Sequence, residues 1–208
     1  MKKIGLLFIM SLLISNINAQ DIQLPSPEKA GGMSLMEALS LRKTERAFSE
    51  QELTAQQLSN LLWAAAGVNR ADGKLTAPTA RNAQQMDIYV YTTKAVYLYD
   101  AKKNSLKQIV QGDYRKDAAM QPFAQESPLI LVYVANYDKM EGFDDDARAL
   151  YGATDCGNIA QNVYLFCAAN GLNTVELGSI YRDKIKDLLK FNGKAILGQP
   201  VGFPKGSR

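Results

Sequence analysis

The centre of the chain reads PLILVYVAN at residues 128–136, a stretch that is nearly continuous in apolar side chains. Such a run is typical of a central strand that is covered on both faces of its sheet. Other segments before and after it are also expected to be strands, and a turn precedes one of them. The further strands are expected at residues 87–92, 95–99, 105–110 and 194–202. We therefore expect one sheet with this stretch near its middle.

Helical patterns separate these strands. Ser34 with Glu37, and Thr54 with Gln57, form two capping boxes, which predict helices ending near Leu41 and before Gly67. A long helix is expected over residues 145–170, with Gly171 after it, and a shorter one over 183–191. The long helix is apolar around most of its circumference, so it lies in the core or at a subunit interface. The fold class is α+β.

The amino terminus has the pattern of a targeting segment. Lys2 and Lys3 precede an apolar run over residues 4–14, and the small residue Ala19 follows at a cleavage position. The run is about half of the roughly 20 residues that span a bilayer, so we expect no membrane insertion. The mature protein is expected to be exported, to the periplasm. The predicted parts are a signal peptide at 1–19, an extended leader at 20–33 and a single domain at 34–208.

Charge and composition limit the possible functions. Without Lys2 and Lys3, the 24 Lys and Arg residues become 22, against 21 Asp and Glu. This balance gives no electrostatic basis for binding nucleic acid. The chain has no histidine, which excludes a Ser-His-Asp or Cys-His nucleophile and histidine-ligated zinc or haem. Any enzymatic chemistry must therefore come from carboxylates or a bound cofactor.

The two cysteines, Cys156 and Cys167, both fall in the long predicted helix. Eleven residues place them on one face but about 16 Å apart, too far for a disulfide. We expect two apolar core residues, because no Cys-x-x-Cys motif is present.

Three cations and a hydroxyl lie within five residues where the first helix is expected to end, in RKTER at 42–46. In an extended chain Arg42, Thr44 and Arg46 share one side, an arrangement that suits a phosphate group. Taken alone, however, a charge cluster at a helix end is more often solvated surface.

A polar loop, PTARNAQQM at 78–86, leads into the strand at 87–92. Its hydroxyl, carboxamides and backbone amides are suited to pair with the edge of a heteroaromatic ring. An ordinary turn before a strand is the alternative, and it is the favoured one for this segment in isolation.

Together with three later segments, these motifs resemble the nitroreductase family, an FMN-dependent fold that includes the thiazoline-oxidase-like dehydrogenases. The resemblance covers Ser34 to Pro204. Its segments, in family order, are Arg42-x-Thr44-x-Arg46-x-Phe48, Pro78-Thr79-x-x-Asn82-x-Gln84, Asp155-x-Gly157-x-x-x-Gln161-Asn162, Gly171 to Ser179, and Pro200 to Pro204. It implies a central, mainly antiparallel sheet flanked by helices, with FMN at the interface of a homodimer.

The resemblance also implies roles for individual residues. Gly178 and Ser179 would present backbone groups near N5 and O4 of the flavin, and Lys43 and Asn82 would lie nearest its pyrimidine edge. The FMN phosphate and ribityl chain would be held by Arg42, Lys43, Thr44 and Arg46, with Lys205 or Arg208 added from the carboxyl end. The loop residues that would reach the flavin from the other subunit are Thr79, Ala80 and Asn82.

By the same resemblance the protein is an oxidoreductase without a catalytic side chain, because the flavin carries the chemistry. We expect ping-pong transfer of hydride or electrons through N5 to a nitroaromatic, quinone or similar organic acceptor. NAD(P)H is a possible reductant, although export would separate the protein from cytoplasmic nicotinamides. Two alternatives stay open: a flavin dehydrogenase or oxidase acting on a peptide or small molecule, and a non-catalytic exported flavin-binding protein.

Overall fold

The computed structural model describes residues 21–206, in which seven strands form one sheet with the order β1-β4-β3-β2-β5-β7-β6. All of its strand pairings are antiparallel. The strands are β1 (Ile22–Gln23), β2 (Met86–Thr92), β3 (Ala95–Asp100), β4 (Ser105–Gln111), β5 (Leu129–Asn136), β6 (Asn173–Thr174) and β7 (Gly193–Gly202). The helices are α1 (Leu35–Leu41), α2 (Ala55–Ala66), α3 (Arg115–Ala118), α4 (Pro122–Glu126), α5 (Asp145–Ala169) and α6 (Arg182–Leu189). The predicted signal peptide and Arg208 lie outside the described residues.

The predicted central strand is confirmed. β5 lies between β2 and β7, and every residue of it from Leu129 to Ala135 is buried. Leu131 and Tyr133 face a core formed with α2 and α5, whereas Ile130 and Val132 face a second core formed with α3 and α6. Both faces of the strand are covered by helices, which is why its sequence does not alternate.

The helix predictions are confirmed as well. Both capping boxes are present, at Ser34 with Glu37 and at Thr54 with Gln57. α5 packs its middle and carboxyl-terminal turns into the core, and its cysteines, Cys156 and Cys167, are free and buried. Burial raises the pKa of the Cys156 thiol to about 12, and it raises the pKa of Cys167 further. Both cysteines are therefore unreactive core residues.

The segment at 21–33, predicted as an extended leader, joins the sheet. β1 pairs with β4, and Leu24 behind it is buried in the same core as α2. The carbonyl of Pro25 accepts hydrogen bonds from Ser59 Oγ at 2.6 Å and from Asn104 Nδ2 at 2.8 Å. Among residues 21–206, no helix has both the length and the apolar character needed to cross a membrane.

Candidate functional site

The cation segment, residues 42–46, begins where α1 ends. The Arg42 N–H makes the last helical hydrogen bond, to Ala38 O at 2.9 Å, and the Arg42 backbone (φ −56°, ψ 121°) already has left the helical region. Three residues later the Glu45 N–H donates to Thr174 O at 3.0 Å. The segment is thereby held alongside β6, at one edge of the sheet.

Tyr164 of α5 lies beneath this segment and organises it. The Arg42 guanidinium stands over the Tyr164 ring, 5.3 Å from its centre, in a cation–π contact. Thr44 Oγ1 lies 3.1 Å from the Tyr164 hydroxyl, which also accepts a hydrogen bond from the Glu176 N–H at 3.0 Å. One buried ring therefore fixes the cation segment against the chain that follows β6.

The other two cations of the segment are exposed. Lys43 Nζ pairs with Glu45 at 2.7 Å, but its side chain remains 71% exposed. Arg46 is also exposed and takes part in no ion pair with the residues from 21 to 206. A solvated ion pair contributes little free energy, so both cations are available to an anionic ligand.

The carboxyl-terminal segment runs beside the cation segment. The Ser49 N–H donates to Phe203 O at 2.9 Å, and the Lys205 N–H donates to Ala47 O at 3.3 Å. These bonds place Lys205 one residue beyond Arg46 along the same edge. Lys205 also borders a cavity of about 590 Å³ with Phe48 and Ser49.

The chain after β6 exposes Gly178 and Ser179, whose carbonyls accept hydrogen bonds from the N–H groups of Ile180 and Met120, both at 3.1 Å. Leu177 exchanges two hydrogen bonds with Gly198 of β7, at 2.8 and 3.0 Å, which holds this chain at the sheet. Gly178 and Ser179 are exposed, and a Cβ atom built on Gly178 would meet no atom within 4 Å. This open surface begins two residues beyond Glu176, which is about 7 Å of extended chain.

Glu176 adds a carboxyl group at the same edge. Glu176 is exposed, but partial desolvation raises the pKa of its carboxyl above the ordinary value of 4.5, while the positive charge of Arg42 acts in the opposite direction. The Arg42 guanidinium therefore interacts both with the Tyr164 ring and with the carboxyl group of Glu176.

The polar loop at 78–86 has an unusual backbone. Arg81, Asn82 and Gln84 all have positive φ, at 53°, 54° and 48°. Such a conformation costs non-glycine residues about 1–3 kcal/mol each and is maintained only by surrounding contacts. Those contacts include Gln84 N–H to Thr79 Oγ1 at 3.0 Å, and Ala80 N–H to the buried carboxylate of Asp155 in α5 at 3.1 Å.

The structure brings together Arg42, Lys43, Thr44 and Arg46 with Lys205 and with the chain leading to Gly178 and Ser179. It holds Thr79, Ala80 and Asn82 at a different part of α5. Asp155 and Tyr164 mark the two places, and nine helical residues separate them by about 14 Å along the axis. The two parts of the predicted site therefore do not meet around one point in one chain.

Two residues of the site were missed in the sequence. Asp155 enters the sequence motifs only as part of the long-helix pattern, and Tyr164 belongs to none of them. Each is a polar side chain on the buried face of α5, at 4% and 7% exposure. The signal for both is a polar residue among the apolar residues of a core helix, because a buried polar group needs a partner.

Comparison with known proteins identifies the family of the chain. The sequence matches the Nitroreductase family over residues 39–203. The chain belongs to the nitroreductase family. A proposed nitroreductase of Methanocaldococcus jannaschii is 31% identical to it over 195 residues, which are 89% of this chain and 97% of that protein.

Solved structures of nitroreductases share its fold. A proposed nitroreductase from Ralstonia eutropha JMP134 has a TM-score of 0.85 at 37% identity, covering 90% of each chain. A proposed NAD(P)H:FMN oxidoreductase from Staphylococcus epidermidis ATCC 12228 has a TM-score of 0.63 at 14% identity, covering 86% of this chain and 92% of that one. The predicted α+β nitroreductase fold is confirmed.

The charges and the exposed backbone of this sheet edge suit a flavin. Between residues 21 and 206 no group of three or more Cys, Asp or Glu side chains is arranged to hold a metal ion. The cation segment and Lys205 supply positive charge, and the exposed backbone at Gly178 supplies space for close approach. This combination fits a ligand with a phosphate group and a flat ring.

Proposed function

We propose that this nitroreductase is an FMN-dependent oxidoreductase that reduces an organic acceptor. The observation that carries the proposal is the meeting of Arg42, Thr44 and Glu176 at the Tyr164 hydroxyl and ring. Through these contacts Tyr164 holds the cations that suit a phosphate next to the chain that leads to the exposed Gly178. Membership of the family supports a flavin oxidoreductase, and the S. epidermidis relative is described as using NAD(P)H and FMN.

Each side chain then has a defined task. Arg42, Lys43 and Arg46 would bind the FMN phosphate, with Lys205 beside them, and Thr44 would donate to the ribityl chain or phosphate. Gly178 and Ser179 would lie against the ring, where the absent Cβ of Gly178 allows close approach. Bound FMN would supply hydride and electron transfer at N5, a chemistry that amino-acid side chains do not provide.

The loop residues Thr79, Ala80 and Asn82 would belong to the site of a second subunit. About 14 Å of helix separates this loop from the cation segment of its own chain. α1 offers a surface for dimer contact, because Leu35, Met36, Leu39 and Leu41 are 45–74% exposed. Leu150 of α5 is also exposed, at 61%. A homodimer through these apolar surfaces would bury them.

A visible absorption spectrum of the purified protein, expressed from the whole gene, tests the proposal. We expect the protein to be yellow or to take up FMN when it is added, and we expect reductant to bleach the colour. The chain fails as a flavoprotein if it retains no yellow colour after FMN is added and the unbound FMN is removed by gel filtration. Bound flavin that neither NADH, NADPH nor dithionite reduces would favour a non-catalytic flavin-binding protein.

The acceptor and the compartment need separate measurements. Turnover of nitroaromatics or quinones by the reduced protein would support the proposed reaction, whereas oxygen uptake with a peptide or small-molecule donor would support a dehydrogenase or oxidase. We also propose export to the periplasm, on the basis of the predicted signal peptide at 1–19. The intact mass of protein recovered from an exporting bacterial host should then correspond to a chain beginning at Gln20.

A further inference from the structure

A buried carboxylate in α5 holds the strained loop at two points. Asp155 is 4% exposed, and its Oδ2 accepts hydrogen bonds from the Ala80 N–H at 3.1 Å and from Gln85 Nε2 at 2.5 Å. The ion pairs found among residues 21–206 do not include Asp155. A buried carboxylate needs polar partners, and within the described structure the hydrogen bonds from this loop supply them.

The strained residues all lie between those two points. Arg81, Asn82 and Gln84 have left-handed backbone conformations, and none of them is glycine. Ala80 precedes them and Gln85 follows them, so Asp155 fixes both ends of the strained stretch. Left-handed conformations at several ordinary residues of one short segment relax to lower energy unless surrounding contacts hold them.

We infer that Asp155 is a positioning residue for the flavin site, holding the loop in the conformation that contacts the cofactor of the partner subunit. The inference rests on the proposed function. It also changes which atoms the loop offers. The Ala80 N–H is occupied by Asp155, so the contacts to the flavin come from the Asn82 carboxamide and the Thr79 hydroxyl. Asn82 is exposed, and its Oδ1 is already paired with Gln84 Nε2 at 3.3 Å, which leaves its amide N–H groups as donors.

Three variants distinguish this positioning role from a general contribution to the stability of the fold. Asp155→Ala removes the acceptor. Asp155→Asn keeps an acceptor oxygen and adds N–H donors, which can pair with Gln85 Oε1, a buried atom that has no hydrogen-bond partner in the structure. Val163→Ala is the matched control, because Val163 is a fully buried residue of the same helix outside the loop contacts.

The loop itself is followed by amide hydrogen exchange in the full-length protein. Asp155→Ala should speed exchange at Ala80 and Gln84 about tenfold or more, since a buried charge-assisted hydrogen bond is lost. Asp155→Asn should stay within about threefold of wild type. Val163→Ala should lower the melting temperature without selective exchange in the loop. Equal exchange in Asp155→Ala and Val163→Ala would overturn the inference.

Flavin binding gives the second measurement, with FMN itself as the probe. Asp155→Ala should weaken FMN binding about tenfold and change the ratio between the Kd values of oxidised and dithionite-reduced FMN, a ratio that a loss of stability alone leaves unchanged. A loosened loop with wild-type Kd values would also overturn the inference. Failure of the wild-type protein to bind FMN would instead overturn the proposed function, which distinguishes the two failures.

Discussion

Thr44 and Tyr164 are 120 residues apart in the sequence, yet Thr44 Oγ1 lies 3.1 Å from the Tyr164 hydroxyl. The same hydroxyl accepts a hydrogen bond from the Glu176 N–H. The distance between the cation segment and the chain leading to Gly178 is therefore set by α5. A site ordered in this way loses less entropy when a ligand binds.

The first prediction concerns this hydroxyl. Tyr164→Phe keeps the ring beneath Arg42 but leaves the Glu176 N–H without its acceptor, so FMN affinity should fall by about 1 kcal/mol, or roughly fivefold. Quenching of flavin fluorescence on titration measures it. Tyr97→Phe is the control, because Tyr97 is a buried strand residue away from the cation segment. Equal Kd values for the two variants would show that the hydroxyl has no part in ordering the site.

The second prediction concerns the phosphate. Arg42→Ala combined with Arg46→Ala should lower FMN affinity by about 3 kcal/mol, because each removes a charge-assisted contact of about 1.5–3 kcal/mol. Lys102→Ala with Lys103→Ala removes the same charge from an exposed turn between β3 and β4 and serves as the control. Riboflavin, which lacks the phosphate, should bind the arginine variant and the wild type alike. Unchanged FMN occupancy would contradict the placement of the phosphate.

Much of the fold followed from local patterns. The capping boxes at Ser34 and Thr54 are contained within four residues each, and the apolar composition of the segment at 128–136 is enough to predict a buried strand. The order of strands in the sheet did not follow, because apolar periodicity predicts a strand and not its neighbours. The two-residue β1 is too short to produce any periodicity.

Only those parts of the candidate site that are continuous in the sequence could be predicted. The cation segment and the loop at 78–86 are continuous motifs, so the sequence could indicate them. Tyr164 and Asp155 act through contacts 120 and 75 residues away, and a single sequence shows only that each is a polar residue in a helix. The left-handed conformations of Arg81, Asn82 and Gln84 were also missed, because the loop contains no glycine, the residue that usually indicates a positive φ.

The third prediction concerns pH. In the folded protein the pKa of Glu176 lies above the 4.5 expected in the unfolded chain, because partial desolvation of the carboxyl disfavours its charged form. Between these two values the folded state binds more protons, so the free energy of unfolding falls as pH rises through that window. Glu176→Gln removes this loss. Its stability relative to wild type should increase with pH from about 4.5 upwards and become constant above the folded pKa.

Glu37 provides the opposite sign for comparison. Hydrogen bonds from Ser34 lower the pKa of the Glu37 carboxyl, so its contribution is present above 4.5 and is lost as pH falls through the folded value. Glu37→Gln should therefore lose stability relative to wild type as pH rises. Urea unfolding across this pH range measures both variants. A curve for Glu176→Gln that runs parallel to that of Glu37→Gln would rule out a raised pKa at Glu176.

The last prediction concerns the dimer. Met36 and Leu39 of α1 are 74% and 45% exposed, which is unusual for apolar side chains of this size on one short helix. Placing a charge there would bury an unpaired carboxylate in the proposed interface, at a cost of several kcal/mol. Met36→Glu with Leu39→Glu should therefore give a monomer by light scattering at concentrations where the wild type is a dimer.

This monomer should also lose FMN, although both residues lie outside the cation segment. In the proposed arrangement each flavin needs Thr79 and Asn82 of the other subunit, so separation of the subunits removes the contacts that this loop supplies. Ile22→Glu is the control, since Ile22 is an exposed apolar residue on β1 at the opposite edge of the sheet from β6. A monomeric variant that binds FMN with wild-type affinity would show that one chain holds the cofactor alone, and the assignment of the loop at 78–86 to the partner's site would be wrong.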